Sequence, residues 1–97
     1  MQPVKRIEIV VDSPEIPELL SVLRAQGIRG YTLFTHLRGS GDRGDRLDDE
    51  PNGGNGNSCL VIAARPDAVA GIIEAIRPIL RRRGGMCLIS DAQWVVH

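Results

Sequence analysis

The sequence predicts an α+β domain whose elements follow the order β-α-β-β-α-β. Three observations carry this prediction: segments of strand-forming apolar residues, two apolar stripes at the helical period, and a long polar stretch in the middle of the chain. With 97 residues, of which 42% are hydrophobic, the chain has the size of one domain. We therefore expect a single domain over residues 1–97, with a flexible loop over residues 39–57.

The first strand and the first helix are predicted from the N-terminal quarter of the chain. Apolar residues alternate in the strand at Ile7, Ile9 and Val11. Asp12 and Ser13 offer side-chain oxygens for a helix N-cap, and Pro14 falls in the opening turn, where early N–H groups have no helical partner. The apolar stripe of this helix is Ile16, Leu19, Leu20 and Leu23. Gly27 is expected to end the helix.

The remaining elements follow in order. The second strand carries one face made of Tyr31, Leu33, Thr35 and Leu37. The continuous apolar run 59–64 is typical of a central strand covered on both faces. Pro66 opens the second helix, and Pro78 is expected to kink it or end it early. The stripe of that helix is Val69, Ile72, Ile73, Ile76 and Leu80. Residues 86–89 are expected to form the fourth strand, followed by a tail through Trp94.

This element order is the ferredoxin-like arrangement, in which both helices cover one face of the sheet. The other face needs a cover, and we expect it to include Ile9, Leu33 or their neighbours and to favour oligomerisation. The first strand should separate the third from the fourth, so a Cys59–Cys87 disulfide is not expected. Both cysteines are interpreted as small buried hydrophobic residues.

Composition and motifs argue against several classes of protein. Twelve basic and twelve acidic residues give a formal net charge of zero, which argues against a nucleic-acid binder. The sequence has neither an apolar run of about 20 residues nor a secretion leader, so we expect a cytoplasmic protein without membrane insertion. His36, His97 and the cysteines are too scattered for a metal site. No nucleophile motif surrounds Ser40 or Ser58, so no catalytic residue is expected.

The polar stretch between the second and third strands is rich in glycine. It opens with the spacing G-x-G-x-x-G at Gly39, Gly41 and Gly44, which can cradle a phosphate through backbone N–H groups. A dinucleotide site requires a helix to start within this motif, but an acidic segment and Pro51 follow instead. The loop is therefore either a ligand or partner site or a solvated connection.

The placed elements resemble those of PII-like signal proteins. The resemblance rests on Gly27-Ile28-Arg29-Gly30-Tyr31-Thr32, on Gly39-Ser40-Gly41 at the start of the loop, and on a second helix that closes on a glycine turn. It covers nearly the whole chain. It implies a homotrimer with adenine nucleotide bound in clefts between subunits, and a long loop, the T-loop, that docks a target protein.

The resemblance also implies the residues that contact the nucleotide. Thr32 would meet the adenine base. The other implied contacts are Gly30, Tyr31, Ile62 and Ala63 near the base, and Gly39, Ser40, Gly41, Gly84 and Gly85 at the phosphates. The basic run Arg81, Arg82 and Arg83 could add phosphate contacts, or could be a helix C-terminus favoured by the macrodipole. Arg43 and Arg46 are candidates for bicarbonate or phosphate, or are solvated loop charges.

Departures from the family narrow the implied function. Met86 stands where a lysine is usual, and no paired arginines follow at the C-terminus, so AMP or ADP is favoured over ATP. An extra residue between Thr32 and Gly39 suggests a bulge or a shifted loop base. The shortened form is similar to PII-like proteins linked to inorganic carbon. It implies bicarbonate as a possible second ligand, signalling of carbon or energy status through the T-loop, and a bicarbonate transporter or carboxysome-related partner.

Two other functions stay open from the residues alone. A ferredoxin-like RNA-binding module would stack bases on sheet aromatics, for which Tyr31, Phe34 and Trp94 are available. A small ferredoxin-like enzyme would need an acid–base residue, for which His36 is the candidate.

Overall fold

The chain folds into a four-stranded antiparallel sheet covered by two helices, with a separate two-stranded ribbon. The computed structural model describes residues 1–41, 44–46 and 56–97, with the backbone alone for residues 40, 41 and 44–46. The elements are β1 (Gln2–Asp12), α1 (Ile16–Ala25), β2 (Thr32–Leu37), β3 (Gly39–Gly41), β4 (Gly44–Arg46), β5 (Asn57–Ala64), α2 (Val69–Arg83) and β6 (Met86–Trp94). A 3₁₀ turn precedes each helix, at Ser13–Glu15 and Pro66–Ala68.

The main sheet has four antiparallel strands in the order β2-β5-β1-β6. This is the ferredoxin-like topology that the element order predicts. Strand β1 lies between β5 and β6, so the strands carrying Cys59 and Cys87 are not neighbours. Within the predicted loop, β3 and β4 pair as a two-stranded ribbon. Residues 42–43 and 47–55, among them Arg43, lie outside the described residues.

Both helices pack on one face of the sheet, as predicted. Ile7 and Ile9 of β1 are completely buried beneath them, and Val11 is 1% exposed. The helices contribute the buried residues Ile16, Leu19, Leu23, Ile72, Ile76 and Ile79. Ile79 was not part of the predicted stripe, whereas Leu80 only packs against the edge of the core. No helix in the described ranges is long and apolar enough to cross a membrane.

The start of the first helix differs from the prediction. Asp12 and Ser13 do not cap an α-helix: a 3₁₀ turn intervenes, α1 begins at Ile16, and neither start has a side-chain cap hydrogen bond. The reason is a competing interaction, because the Ser13 hydroxyl lies 2.7 Å from the Ser58 hydroxyl on β5.

The second helix does not end at Pro78 but continues to Arg83. Pro78 is exposed, while Ile76 and Ile79 on either side are almost fully buried. Packing of these two side chains against the sheet therefore holds the helix through the proline, at the cost of one backbone hydrogen bond.

Replacing Pro78 with alanine should stabilise the fold. Alanine restores the N–H that can donate to the Glu74 carbonyl and removes a steric conflict in the helix interior. We expect the free energy of unfolding to rise by about 1–3 kcal/mol, measured by urea titration. Arg77→Ala, at an exposed neighbouring position, serves as the control and should change stability by less than about 0.5 kcal/mol. A Pro78→Ala protein no more stable than the wild type would contradict this reason.

The fourth strand is longer than predicted and includes the residues expected to form a tail. Strand β6 runs from Met86 to Trp94, and Trp94 pairs with Gln2. Its second half is polar, so it lacks the apolar signal on which the prediction depended. The pairing continues because β1 extends to Gln2 and provides a partner for every residue of β6, and Lys5 forms an ion pair with Asp91 across the two strands.

The uncovered face of the sheet also differs from the prediction. Ile9 lies on the helix side, and Leu33, which pairs with Leu60, shares that side. Their neighbours along the strands face the other way, since side chains alternate. One row across this open face consists of Phe34, Cys59, Val10 and Met86, and the next of Thr32, Val61, Glu8 and Leu88. Phe34, Met86 and Leu88 are 45–54% exposed, so the open face remains strongly apolar.

Candidate functional site

The turn after α1 fixes the backbone that leads into β2. Gly27 has a φ of 85°, which only glycine adopts freely. The Ile28 N–H donates to the Leu23 carbonyl and the Gly27 N–H to the Arg24 carbonyl, each at 3.0 Å. This pair of bonds is a Schellman motif, as expected of a glycine helix end. It directs residues 28–32 along the edge of the sheet.

A cleft of about 790 Å³ opens beside this segment. Gly30, Tyr31 and Thr32 line it together with Ile62 and Ala63 of β5. The structure thus brings together the five residues that the resemblance places near an adenine base. Tyr31 is 47% exposed, so its ring is available to a planar ligand.

The cleft also contains residues that the resemblance did not place at the nucleotide. Arg6, Arg29 and Arg65 contribute positive charge, and Trp94 also lines the cleft. Arg6 pairs with Glu8 at 2.7 Å and Arg65 with Asp67 at 3.1 Å. Arg6 alternates with buried Ile7 in the first strand, a pattern that could have placed it on the open face. Trp94 was missed because it was assigned to a tail.

The glycines expected at phosphates lie at the other end of the sheet. Leu37 pairs with Asn57, and Gly39 follows directly. Between Phe34 and Leu37 the register shifts, and His36 has a φ of 59°, so the predicted bulge at the loop base is confirmed. Gly84, with a φ of 81°, ends α2 through an N–H bond to the Leu80 carbonyl at 2.7 Å.

These two glycine segments lie on opposite edges of one sheet. Gly39 follows edge strand β2, while Gly84 and Gly85 precede edge strand β6. Three strand spacings separate these edges, or about 14 Å. The cleft and the glycine segments lie at opposite ends of the sheet, so a mononucleotide that touches the cleft and a glycine segment would have to span two neighbouring chains.

The arginines at the end of α2 contact acidic side chains. Arg82 lies 2.5 Å from Glu18 and 3.7 Å from Glu15, and the Arg83 Nε lies 3.6 Å from Glu15. A phosphate contact by Arg82 or Arg83 remains a prediction. Arg46 belongs to β4, where only its backbone is described.

The two thiols have no sign of activation. Burial raises the pKa of Cys59, with a further rise from the nearby Glu8 carboxylate and an opposing effect of Arg6. Burial alone raises the pKa of Cys87. A raised pKa keeps a thiol protonated at neutral pH, and the thiolate is the reactive form. Across the described ranges, no group of three His, Cys, Asp or Glu residues could hold a metal ion.

Comparison with known proteins gives a family and several similar structures. The family model of the nitrogen regulatory protein P-II matches residues 4–96. No curated protein matches the chain in sequence.

Among solved structures, the chain is similar to CPII of Thiomonas intermedia K12, a nitrogen regulatory PII-like protein bound to ADP, AMP and bicarbonate. The identity is 22%, the TM-score is 0.87, and the alignment covers 95% of this chain and 88% of CPII. A PII-like signalling protein of Thermus thermophilus is 20% identical, with a TM-score of 0.79 and coverage of 97% and 91%. The GlnK–ATP complex of B. subtilis is 15% identical, with a TM-score of 0.68 and coverage of 95% and 84%.

Proposed function

The chain belongs to the nitrogen regulatory protein P-II family, and from this premise we propose that it is a non-enzymatic regulator that binds ADP or AMP between the subunits of a homotrimer. The proposal rests on one observation: the predicted nucleotide contacts of a single chain lie apart, some in a cleft and others in two distant glycine segments. Thr32, Ile62 and Ala63 line the cleft, while Gly39 and the Gly84–Gly85 turn occupy opposite sheet edges. Two neighbouring chains would supply one complete site.

The open face of the sheet supports the trimer. Its apolar side chains, including Phe34, Met86 and Leu88, are about half exposed in the single chain. A contiguous apolar surface of this kind is typical of a protein–protein interface. Closing three such faces around an axis would bury them and bring one chain's cleft to the next chain's glycine segments.

The preference for ADP or AMP follows from the small amount of positive charge available to phosphates at the glycine turn. Met86 begins β6 directly after Gly85, so no lysine follows the turn. Arg82 and Arg83 are engaged by Glu15 and Glu18. Each further phosphate of ATP would add negative charge with little new positive charge to meet it.

Bicarbonate is a further proposed ligand, and the T-loop is the proposed output. CPII binds bicarbonate together with ADP. In this chain the candidates to hold such an anion by charge-assisted hydrogen bonds are Arg43 and Arg46, which belong to the loop 39–57. The loop would then signal inorganic-carbon or energy status to a bicarbonate transporter or carboxysome-related protein. Family membership favours neither of the alternative functions, RNA binding or catalysis at His36.

Titration calorimetry tests the nucleotide proposal. We expect ADP and AMP to bind at least as tightly as ATP. Thr32→Ala should weaken ADP binding by about tenfold, the effect of losing one polar contact to the base. The matched control is Thr35→Ala, since Thr35 is exposed on the same strand and lies outside the cleft.

The same titrations can contradict the proposal. Absence of binding by any adenine nucleotide would exclude the regulator function, and a strong preference for ATP would show that the arginines complete a full phosphate site. RNA oligomers, tested in parallel, would reveal the alternative binding function.

A further inference from the structure

The 3₁₀ turn Ser13–Glu15 connects the start of β5 to the end of α2. At its first residue, the Ser13 N–H donates to the Gly56 carbonyl at 3.1 Å. The Ser13 and Ser58 hydroxyls are 2.7 Å apart, and Ser58 is only 1% exposed. Because a buried hydroxyl needs a partner, this pair fixes the turn to the residues at which β5 begins.

The last residue of the same turn contacts α2. Glu15 is only 13% exposed, and its Oε1 lies 3.7 Å from the Arg82 Nη2 and 3.6 Å from the Arg83 Nε. This oxygen is buried and has no hydrogen-bond partner among the described residues. The two guanidinium charges therefore stabilise it, and the carboxylate in turn restrains Arg83 and, together with Glu18 at 2.5 Å, Arg82.

Because Arg82 and Arg83 adjoin the Gly84–Gly85 turn, their contact with Glu15 also affects this turn. Arg82 and Arg83 are the last residues of α2 and directly precede Gly84 and Gly85, which both have positive φ. Glycines lack side-chain restraints on their backbone, so the direction of this turn depends on what holds its two ends. On the β1 side, the turn packs against the Val10 carbonyl. On the helix side, Glu15 holds it through the arginines.

We propose that Glu15 is a positioning residue for the Gly84–Gly85 turn, and that the Ser13–Glu15 segment couples this turn to the start of β5 at Gly56–Ser58. The inference rests on the proposed function, in which phosphates bind at the turn. Glu15 does not touch the nucleotide. It keeps Arg82 and Arg83 away from the phosphates, and it thereby holds the turn in the conformation that binds them. Occupancy of the turn then stabilises the Ser13–Gly56 contact, since coupling between sites is reciprocal.

Glu15→Gln distinguishes this inference from direct phosphate binding by the arginines. If Glu15 positions the turn, the variant should bind ADP about fivefold more weakly, the low end of coupling between sites. If the arginines are ligands that Glu15 competes for, their release should tighten ADP binding instead. The control is Glu74→Gln. This variant removes an exposed ion pair within α2, in which Glu74 and Arg77 lie 3.7 Å apart and away from the turn.

Hydrogen exchange provides a readout that a general loss of stability would not reproduce. In the wild type, ADP should slow exchange of the Ser13 amide, which donates to Gly56. In Glu15→Gln this slowing should disappear, while amides of the core strand β5, such as Leu60, keep their protection. Ser58→Ala, which breaks the other end of the connection, should also lose the ADP effect on Ser13.

Each outcome decides between the two levels of the proposal. If the wild type does not bind ADP, the proposed function itself is wrong. If the wild type binds ADP and Glu15→Gln binds it equally well or more tightly, the positioning role alone is overturned. Unchanged Ser13 exchange on ADP addition to the wild type overturns the coupling.

Discussion

Replacing Leu88 with lysine is expected to convert the proposed trimer into monomers and to weaken ADP binding by about tenfold or more. Leu88 is 54% exposed on the open face of the sheet. In a closed trimer it would be buried, and an ammonium group there would incur a desolvation penalty of several kcal/mol, which the neighbouring Glu8 carboxylate would not fully offset. ADP binding should fall with dissociation because the two parts of the proposed site belong to different chains.

The monomer itself should tolerate this substitution. Leu88 pairs with Glu8 on β1, so a lysine at this position meets an opposite charge across the strands. Leu88→Met, which keeps an apolar side chain of similar volume, is the control and should remain trimeric. Light scattering gives the mass and calorimetry the affinity. A wild-type protein that stays monomeric at working concentrations would remove the inter-subunit site.

The fold was predictable wherever one local pattern dominated. Alternation at Ile7, Ile9 and Val11 identified β1 as a strand, although Ile9 was assigned to the uncovered face and is buried beneath the helices, and Gly27 identified the end of α1. The errors occurred where distant contacts outweigh local preference. Strand β6 continues through a polar segment because β1 pairs with it to the end. Pro78 stays within α2 because its neighbours are anchored in the core.

The candidate site was predictable in part for the same reason. Thr32 on β2 and Ile62 and Ala63 on β5 belong to adjacent strands, and Gly30 and Tyr31 directly precede β2, so the residues that the resemblance placed near the base line one cleft. The cleft arginines Arg29 and Arg65 come from connections whose course depends on tertiary packing. The role of Glu15 was not visible because its partners, Arg82 and Arg83, are far away in sequence. No spacing rule links residues at that separation.

Replacing Gly85 with alanine is expected to destabilise the fold by about 2–4 kcal/mol and to abolish ADP binding. Gly85 has a φ of 113°, which side-chain-bearing residues rarely adopt. A Cβ there would lie 2.4 Å from the Val10 carbonyl oxygen and 3.2 Å from a methyl group of Val11. Because Val10 belongs to the central strand β1, the carbonyl cannot move aside without breaking pairing with β6. The turn would move instead and carry its N–H groups away from the phosphates.

Gly30→Ala provides the matched control for stability alone, since a Cβ at Gly30 would meet no atom within 4 Å but Gly30 itself lines the cleft. Its stability should change by less than about 1 kcal/mol. Urea titration measures stability, and calorimetry at a temperature where Gly85→Ala is still folded measures ADP affinity. A destabilised Gly85→Ala protein that binds ADP normally would place the phosphates elsewhere, with the cleft cations Arg6, Arg29 and Arg65 as the next candidates. An equally stable one would mean that the new methyl group is accommodated without strain, which would contradict the expected clash with the Val10 carbonyl oxygen.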